Sequence, residues 1–362
     1  MGSRAIKNHP PARTRLPEPL RAFRAAEWWE YKLSPMLATA YATAFLLKLS
    51  IISLWPSLLL LLAAVAACAA YVGVVNDLTD IEDDLASGKA NRLAGRSRAF
   101  AAAALACCVL PGVAAAFYWR GDGLLLSLYL ASWAAFTLYS LPPVRLKKRG
   151  ALGLLADACG AHLFPALLAV GVVYRHSAGP ADALWLASVS AWSFAFGLRG
   201  ILWHQLNDLH NDEKINLGTF ARRHKITRLR GLGNFVIFPA EALAFGLMLW
   251  RAGSQLAVAL LCFYALFEAL RRRLWGVNLV VVVPKAGYHI LMQEYYELFF
   301  PLALLLSSSR RYPLDALLIA PQLLLFSRRA LQASKDLRVF RDALKVIVTR
   351  MSGRRLHAPK KL

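Results

Sequence analysis

The feature that most constrains this chain is a series of apolar stretches, each about 20 residues long and therefore able to cross a bilayer as a helix. These stretches fall at about 35–55, 57–75, 99–118, 123–141, 151–173, 183–206, 233–250, 254–270 and 289–308. The 58% of hydrophobic residues exceeds what the core of a soluble protein requires. Because lipid offers the backbone no hydrogen-bond partners, such spans fold as helices. The sequence predicts an all-α, multi-pass bundle of about nine transmembrane helices.

Lys and Arg residues outnumber Asp and Glu residues by 43 to 21, which gives a formal net charge of +22. In a soluble protein this excess would indicate nucleic acid, but here the cations lie in short runs between apolar segments. Loops after the second, fourth, sixth and eighth spans carry most of them, as cytoplasmic loops do. We expect the lipid bilayer as a partner and no nucleic acid, with the N-terminus and the basic loops in the cytoplasm.

The chain divides into a basic cytoplasmic segment at 1–31, a membrane domain at 32–310 and a tail at 311–362. Nine spans would leave the basic tail outside the cell, against the positive-inside rule. A tilted or re-entrant helix over Leu314 to Phe326 would return the tail to the cytoplasm, although this run is short for a span.

The end of the tail carries a second helical signal. Leu337, Phe340, Leu344 and Ile347 recur at helical spacing, with Arg and Lys residues between them. This pattern predicts an amphipathic basic helix on the membrane surface, and the alternative is a solvated tail.

The second predicted span ends in an acidic motif, Asn76-Asp77-Leu78-Thr79-Asp80-Ile81-Glu82-Asp83-Asp84. On a helix, Asn76, Asp80 and Asp84 are four residues apart, so their oxygen atoms form one row. Carboxylates in a row repel one another unless a cation lies among them. Oxygen ligands rich in carboxylate are typical of Mg²⁺, which commonly also binds substrate phosphate. The motif predicts a magnesium and diphosphate site, and the alternative is a solvated helix end.

A second acidic motif, Asn207-Asp208-Leu209-His210-Asn211-Asp212, ends the sixth predicted span. Asp208 and Asp212 are again four residues apart, and the loop charges place both motifs on the same side of the membrane. A solvated helix end explains either motif alone. The pair, each followed by a cationic loop, indicates the two walls of a metal-diphosphate site.

A third element closes the fourth predicted span, from Leu138 to Arg149. Two prolines prevent the helix from continuing and fix an extended exit. The cations that follow, among them Arg145 and Lys147, are suited to neutralising a diphosphate leaving group. The alternative is a loop whose charges only set topology.

These three elements together resemble the UbiA superfamily of intramembrane prenyltransferases, over about residues 30 to 310. The first is similar to the family's N-D-x-x-D-x-x-x-D motif, and Lys89-Ala90-Asn91-Arg92 follows where the family has a K-x-N-R-P-like stretch. The third is similar to its Y-S-x-P-P-x-R-x-K-x-R loop. The second resembles its D-x-x-x-D motif, with Gly218-Thr219 downstream. Leu93 stands where a proline usually follows the Arg.

The resemblance implies a fold of nine transmembrane helices around a central cavity that the Asp-rich loops cap. It also implies that two Mg²⁺ ions bridge the diphosphate of an isoprenyl donor, held by Asn76, Asp80, Asp84, Asp208 and Asp212. The reaction implied is the transfer of an isoprenyl group to an acceptor.

Breaking the allylic C–O bond of such a donor leaves charge on diphosphate, which metals and cations must stabilise. The substrate contacts that we predict around the diphosphate are Asn76, Lys89, Arg92, Arg145, Lys147 and Asn207. Tyr139 is predicted to shield the allylic cation from water, and its alternative role is that of an interfacial aromatic. The predicted catalytic set is then Asp80, Asp84, Asp208, Asp212 and Tyr139.

His204 and Gln205 lie about one helical turn before Asp208, deeper in the membrane, where a polar side chain needs a partner. Many members of the family with aromatic acceptors differ here. The two residues are predicted to bind the acceptor or relay a proton, and the alternative is a hydrogen bond to a neighbouring helix. Glu294 and Glu297 are predicted either to touch an acceptor head group or to pair with Arg at the interface.

The leading hypothesis is an Mg²⁺-dependent enzyme that transfers an isoprenyl group from a diphosphate donor to an aromatic or other lipophilic acceptor. One alternative is a polyprenyl-phosphate sugar or phosphoribosyl transferase, and another is a transporter or lipid-binding protein. The acidic clusters lie at span ends rather than at mid-bilayer, which favours the enzyme. The bias towards Ala, Leu and Arg indicates a bacterial inner membrane.

Overall fold

The computed structural model describes residues 22–285 and 288–351, and within them the chain is helical almost throughout. We number the main helices α1 Ser34–Leu46, α2 Trp55–Thr79, α3 Ile81–Ser87, α4 Arg98–Tyr118, α5 Gly123–Ser140, α6 Ala151–Tyr174, α7 Ala183–Asn207, α8 Leu209–Lys214, α9 Ile226–Ala252, α10 Gln255–Trp275, α11 Phe300–Ser309, α12 Pro313–Leu325 and α13 Ser327–Met351. Two short strands, β1 Asn278–Val280 and β2 Tyr288–Ile290, pair in parallel with Asn278 opposite Tyr288. The predicted all-α class is confirmed.

Proline shapes the bundle through one repeated device. A single π-helical turn precedes each of four X-Pro helix starts, and these turns are Trp29–Leu33, Cys159–Leu163, Gly233–Ile237 and Tyr295–Phe299. The prolines that follow them are Pro35, Pro165, Pro239 and Pro301. Because proline lacks the N–H and its ring clashes with the carbonyl four residues earlier, the helix widens by one residue upstream and then continues.

Helices that are long and apolar enough to cross a membrane number six over the residues that the structure describes. They are Ile52–Thr79, Arg98–Gly121, Gly123–Ser140, Ala151–Tyr174, Ala183–Asn207 and Ile226–Ala252. The chain is therefore an integral membrane protein. The predicted number of nine spans is not confirmed, because the other three predicted spans correspond to α1, α10 and α11. Of these, α1 has 13 residues and α11 has 10, while α10 carries Arg271, Arg272 and Arg273 shortly before its end at Trp275.

The aromatic core lies where α7 packs along α9. Trp192 stacks on Phe196 with ring centroids 5.8 Å apart, and Phe245 of α9 meets Trp192 at the same separation. Beside these rings, Arg199 and Glu241 form a fully buried bidentate ion pair with N–O distances of 2.5 and 2.7 Å. This packing fixes α7, whose end carries the second acidic motif.

The first predicted span is longer than the helix that forms, since α1 ends at Leu46. The buried Asp315 carboxylate holds the turn that follows. Its Oδ1 accepts hydrogen bonds from the Ser50 hydroxyl and from the backbone N–H of Ile52, both at 2.8 Å. Its Oδ2 accepts from the backbone N–H of Ile51 at 3.0 Å. The C-terminal segment thus completes a turn between the first two helices.

Helix α12 runs antiparallel to α1 and returns the chain to the end of the bundle where α1 begins. At the end of α12, the indole N–H of Trp29 donates to the Leu325 carbonyl at 2.6 Å. Glu30 accepts from the backbone N–H groups of Arg328 and Arg329 at 2.7 and 3.1 Å, which caps the start of α13. This path matches the returning helix predicted at this position.

Helix α13 forms where Leu337 and Phe340 predicted an amphipathic helix. The side chains of Leu344 and Ile347, and the chain segments 1–21 and 352–362, lie outside the described residues. The prediction of a membrane-surface role for this helix therefore stays a prediction.

The sequence predicted that Glu294 and Glu297 either touch an acceptor head group or pair with Arg. In the structure both pair with Arg. Glu294 accepts from the buried Arg271 guanidinium, which also donates to Asp336 of α13 at 2.6 Å. Glu297 accepts from Arg329 Nε at 2.5 Å. These ion pairs bind the C-terminal segment to the membrane domain.

Candidate active site

The two acidic motifs share one backbone feature, a break between a long membrane helix and a short helix. Asp80 joins α2 to α3 with φ −113° and ψ 7°, and Asp208 joins α7 to α8 with φ −91° and ψ 0°. Both residues lie in the sparsely populated bridge region, where active-site residues are often found. We call residues 76–84 the first wall and residues 207–212 the second wall. The prediction of one continuous helical row from Asn76 to Asp84 is wrong, because the helix is interrupted at Asp80.

The short helices α3 and α8 pack against each other, so the two walls meet. Lys89, which follows α3, donates to Asp208 Oδ2 at 2.9 Å. Lys214, at the end of α8, donates to the Ser87 carbonyl at 3.3 Å. Lys89 therefore contacts the second wall directly, and Lys214 joins the two short helices that extend from the walls.

Carboxylates of the first wall contact the loop that follows α5, which we call the basic loop, residues 141–149. The guanidinium of Arg145 donates to Asp80 Oδ1 at 2.7 Å and to Asp83 Oδ2 at 2.9 Å. The buried ammonium of Lys147 also contacts Asp80, and that of Lys148 lies 3.1 Å from Asp83. Burial lowers the pKa of Lys147, although Asp80 opposes this shift. The loop thus brings three cations onto the acidic helix break.

Backbone contacts position the basic loop. The peptide N–H of Gly150 donates to the Gly218 carbonyl at 3.1 Å, and the Arg223 guanidinium donates to the Lys148 carbonyl at 3.0 Å. Arg145 itself adopts φ 38°, a left-handed conformation that is strained for a side-chain-bearing residue. The segment downstream of the second wall therefore supports the loop that neutralises the first wall.

Asn91 links the first wall to the stretch that follows it. Its Nδ2 donates to Asp84 Oδ2 at 2.9 Å and to the Asp77 carbonyl at 2.8 Å. Its Oδ1 accepts from the backbone N–H groups of Leu93 and Ala94 at 2.9 and 3.0 Å. The amide thus orients Asp84 and shapes the turn that carries Lys89.

The second wall is neutralised less completely. His204 Nε2 lies 3.8 Å from Asp208, and Asp212 accepts from the Thr219 hydroxyl at 3.1 Å. Burial would raise the pKa of Asp208, but His204 and the hydrogen bond from Lys89 lower it below its ordinary value. Burial raises the pKa of Asp212 to about 6, and the charge of Asp208 adds to this shift. Asp212 therefore lies where a further cation would be favourable.

Two other predicted site residues contact the protein itself, and a third is exposed. Gln205 is buried and accepts from the backbone N–H of Ala221 at 3.1 Å, so it supports the turn after α8. This contact agrees with the alternative of a hydrogen bond to a neighbouring segment. Arg92 contacts Glu27 and lies 3.8 Å from Asp77. Asn207 is exposed at the end of α7.

Asn76 and Tyr139 lie near the helix ends where the sequence analysis placed them. Asn76 Oδ1 accepts from the Ser140 hydroxyl, which ties the first wall to the end of α5. Tyr139 is half-buried, with its ring 6.5 Å from the Phe136 ring. Both residues therefore lie between the basic loop and the membrane interior.

Asp77, Asp83, Asn91, Arg24 and Glu27 are the contacts that the sequence analysis missed. Asp77 is buried beside Arg24, at 3.4 Å, and its Oδ2 atom has no hydrogen-bond partner among the described residues. Asp77 and Asp83 lie inside the first acidic motif, so their position in the sequence marked them as candidates. Arg24 and Glu27 gave none, because they approach the site from a segment about 50 residues earlier.

The donor set of the two walls fits Mg²⁺. It consists of carboxylate and carboxamide oxygens, which this hard cation prefers. Asp212 accepts a hydrogen bond from the Thr219 hydroxyl and pairs with no Lys or Arg among the described residues, so its charge is left for a bound cation to compensate. The arrangement is able to hold a divalent cation and an anion that the surrounding Lys and Arg side chains contact.

The model of the UbiA prenyltransferase family matches residues 36–278, more than half of the chain. Among solved structures, a UbiA homologue from Archaeoglobus fulgidus bound to GPP and Mg²⁺ is similar, with 13% identity and a TM-score of 0.50. That alignment covers 86% of this chain and 100% of the homologue. A DMAPP and Mg²⁺ complex of an A. fulgidus homologue aligns with 12% identity and a TM-score of 0.47, over 89% of this chain and 100% of that one.

A comparison with curated proteins gives no significant match. The family match spans both acidic walls and the basic loop, and it includes α2 to α10. The solved homologue adds that the fold is shared over nearly the whole membrane domain. On these grounds, the chain belongs to the UbiA prenyltransferase family.

Proposed function

We propose that this protein is an Mg²⁺-dependent intramembrane prenyltransferase, which moves an isoprenyl group from an isoprenyl diphosphate to a lipophilic acceptor. The observation that carries the proposal is the meeting of the two acidic walls, where Lys89, which follows the first wall, donates a hydrogen bond to Asp208 of the second. Membership of the family supports the reaction class. The solved homologue with the same fold is bound to GPP and Mg²⁺, which supports the choice of donor and metal.

The residues that would hold Mg²⁺ are Asn76, Asp80, Asp84, Asp208 and Asp212. Each supplies oxygen: Asn76 from the last turn of α2, Asp80 and Asp208 from the two helix breaks, and Asp84 and Asp212 from the short helices beyond them. When bound, the metal would neutralise the diphosphate and stabilise the charge that develops on it as the allylic C–O bond breaks.

The cations of the site would contact the phosphate oxygens. Arg145, Lys147 and Lys89 bond to wall carboxylates in this structure, and they would exchange these partners for the diphosphate. Arg145 is able to contact two oxygens through its planar fork, whereas the Lys residues act as point charges. Arg92 would join them by releasing Glu27.

The acceptor would bind on the membrane side of the acidic walls, inside the helix bundle. An allylic cation reacts with water unless the site excludes it, and Tyr139 with the apolar helices around it would supply that shield. His204 lies between this interior and Asp208, so it would face both the donor and the acceptor.

The charge pattern supports a cytoplasmic position for the acidic walls, because the basic loop and the Arg-rich segment after α8 lie beside them. The sequence composition supports the inner membrane of a bacterium as the location. We extend this to the tail, since α12 returns α13 to the same end of the bundle.

The test is a transfer assay with the purified full chain in lipid nanodiscs. Radiolabelled geranyl, farnesyl and geranylgeranyl diphosphates are each incubated with Mg²⁺ and a panel of acceptors, and products are identified by mass. We expect a prenylated product that EDTA abolishes. A second reaction supplies phosphoribosyl diphosphate and farnesyl phosphate. Product in the second reaction alone would replace our proposal by a phosphoribosyl transferase, and no binding of any diphosphate would contradict both.

A further inference from the structure

A cavity of about 480 Å³ lies beside the C-terminal half of α10, apart from the acidic walls and the basic loop. Its volume falls within the range of roughly 300–1,000 Å³ that is usual for ligand sites in proteins. The guanidinium groups of Arg272 and Arg273 line it. Most of the remaining lining is apolar and includes Leu261, Ala265, Ala269, Leu279, Leu291 and Met292. The cavity therefore combines an apolar interior with two positive charges.

Hydrogen bonds hold the two sides of this cavity in place. The backbone N–H of Met292 donates to the Tyr264 hydroxyl at 2.9 Å, which joins α10 to the segment after β2. The backbone N–H of Leu291 donates to the Val280 carbonyl at 2.9 Å, which extends the pairing of β1 with β2. The cavity is therefore bounded by contacts of the fold, with α10 on one side and the β1–β2 pair on the other.

The position of α10 places the cavity against lipid. This helix packs mainly against α11 and the turn before it, at the edge of the bundle. Phe263 and Leu266 on α10 are exposed, as side chains that contact acyl chains are. Trp275 is the last residue of α10, and tryptophan is enriched where hydrocarbon meets the head groups. The two Arg residues precede it directly, so they lie at head-group depth.

The β1–β2 pair shows which side of the membrane this is. The ring of Tyr288 in β2 lies 5.9 Å from the ring of Trp203. Trp203 belongs to the last turns of α7, which end at the second wall. The cavity therefore opens at the end of the bundle that carries the acidic walls, the end with most of the basic loops.

Arg272 and Arg273 differ from Arg271 in their pairing. Both are exposed, and their side chains form no ion pair or hydrogen bond with the part of the chain that the structure describes. Arg271 is buried and donates to Glu268 Oε1 at 2.5 Å. Glu268 also lines the cavity, but its buried carboxylate is engaged by Arg271 and by His289, whose Nδ1 lies 3.3 Å away. The charges that the cavity presents to a ligand are therefore those of Arg272 and Arg273.

We propose that this cavity binds an anionic phospholipid of the bilayer, with its phosphate between Arg272 and Arg273 and part of one acyl chain along the apolar lining. Guanidinium forks match phosphate oxygens, and basic pockets between membrane helices bind lipid phosphates. A zwitterionic lipid carries its own positive charge beside the phosphate, so two unpaired guanidinium groups favour a lipid of net negative charge. This inference is independent of the proposed prenyl transfer, since the lining belongs to neither wall.

The test is native mass spectrometry of the full chain, stripped of lipid in detergent and titrated with phosphatidylglycerol or phosphatidylcholine. We expect wild type to bind phosphatidylglycerol at least about fivefold more tightly than phosphatidylcholine. The double variant Arg272→Ala, Arg273→Ala should weaken phosphatidylglycerol binding about 25-fold, or about fivefold for each guanidinium. The matched control is Arg228→Ala, Arg230→Ala, which removes two exposed charges from the start of α9 and should bind as wild type.

A second variant tests the apolar part of the cavity while both charges remain. Ala265 lines the cavity and is exposed, so Ala265→Phe fills the space without displacing a buried side chain. It should weaken phosphatidylglycerol binding about tenfold, because the acyl chain loses its contact area. Ala114→Phe, on the exposed side of α4, is the matched control and should have no effect. Tm and elution volume are compared for all variants.

The remaining outcomes overturn stated parts of the proposal. Equal binding of the two lipids by wild type would contradict the anionic assignment. Equal losses in the Arg272, Arg273 variant and in its control would show that only net charge attracts the lipid. Unchanged binding by Ala265→Phe would place the lipid outside the cavity. Geranyl diphosphate binding with Mg²⁺ is measured in parallel and should be the same in every variant, so failure of the proposed function would leave the lipid result intact.

Discussion

The two acidic walls are alike in backbone and different in charge. Each has an Asp in the bridge region at a helix break, followed by a short helix. The first wall is covered by cations of the basic loop. In the second wall, Asp208 contacts Lys89, whereas Asp212 accepts from the Thr219 hydroxyl and pairs with no cation among the residues that the structure describes.

The same type of helix break therefore occurs in two electrostatic environments, one rich in cations and one poor in them. At the first wall, a diphosphate would compete with carboxylates for the Arg and Lys side chains. Binding of the diphosphate there should therefore depend on the positive charges. At the second wall, the raised pKa of Asp212 means that a metal would compete with a proton. The first wall should therefore be sensitive to lost cations, and the second to lost hydrogen bonds.

The largest expected effect is common to both walls. Asp80→Ala and Asp208→Ala should each lower Mg²⁺-dependent turnover about 1,000-fold or more, which is about 4 kcal/mol, because each removes a proposed metal ligand. Turnover is measured by product mass, and Mg²⁺ binding by calorimetry. Unchanged Tm in nanodiscs serves as the control for folding. Activity retained by both variants would contradict the proposal that the two walls form one metal site.

A smaller loss of turnover is expected when the first wall loses one of the cations that cover it. Arg145→Ala should reduce turnover about 100-fold, because one guanidinium contacts both Asp80 and Asp83. Arg145→Gly is the informative control, since glycine accepts φ 38° without strain. We expect it to lose as much activity as the Ala variant while its Tm is higher. Activity restored by glycine would show that backbone strain, and not charge, makes Arg145 important.

The link between the walls should matter less than either wall. Lys89→Ala should reduce turnover about tenfold, because it removes the ion pair to Asp208 and with it a cation that lowers the pKa of that carboxyl. Lys335→Ala, on exposed α13, is the matched control for loss of one positive charge. Equal effects in the two variants would mean that Lys89 acts only through net charge.

The smallest expected effect tests hydrogen bonding at the second wall. The Thr219 hydroxyl lowers the pKa of Asp212, so Thr219→Val should raise that pKa further above about 6. Loss of a hydrogen bond worth about 1 kcal/mol should raise the Mg²⁺ concentration for half-saturation about threefold at pH 6 and about 1.4-fold at pH 7, because more Asp212 is then protonated. The defect should shrink at pH 8, where the carboxyl ionises again. Thr219→Ser should behave as wild type, and a defect independent of pH would contradict the assignment.

Much of the fold was predictable because it depends on local properties. Apolar length placed α2 and α4 to α7 within a few residues, and each acidic motif predicted a helix end. The first span was predicted too long because its turn is fixed by Asp315, far along the chain. The sequence also showed nine apolar stretches, of which charge and shortness leave six that meet the requirements of a span in the described residues.

Part of the candidate site was equally predictable, and part was not. The acidic motifs and the cations Arg145 and Lys147 follow from residue type and spacing. For Gln205 the sequence left open whether it binds an acceptor, relays a proton or bonds to a neighbouring segment, and in the structure its side chain supports the turn at Ala221. Which way such a residue points depends on the packing of its helix, and no local pattern reports that.

By itself, the amino-acid sequence determined that this protein is a helical membrane protein with two acidic helix ends, since hydrophobicity, proline positions and motif spacing act over short stretches of chain. Only the tertiary structure decided that Lys89 bonds to Asp208, that Arg145 joins Asp80 to Asp83, and that α12 returns the tail. The physical reason is that these contacts join residues far apart in the chain. Their geometry depends on how whole helices pack, and that is a property of the bundle.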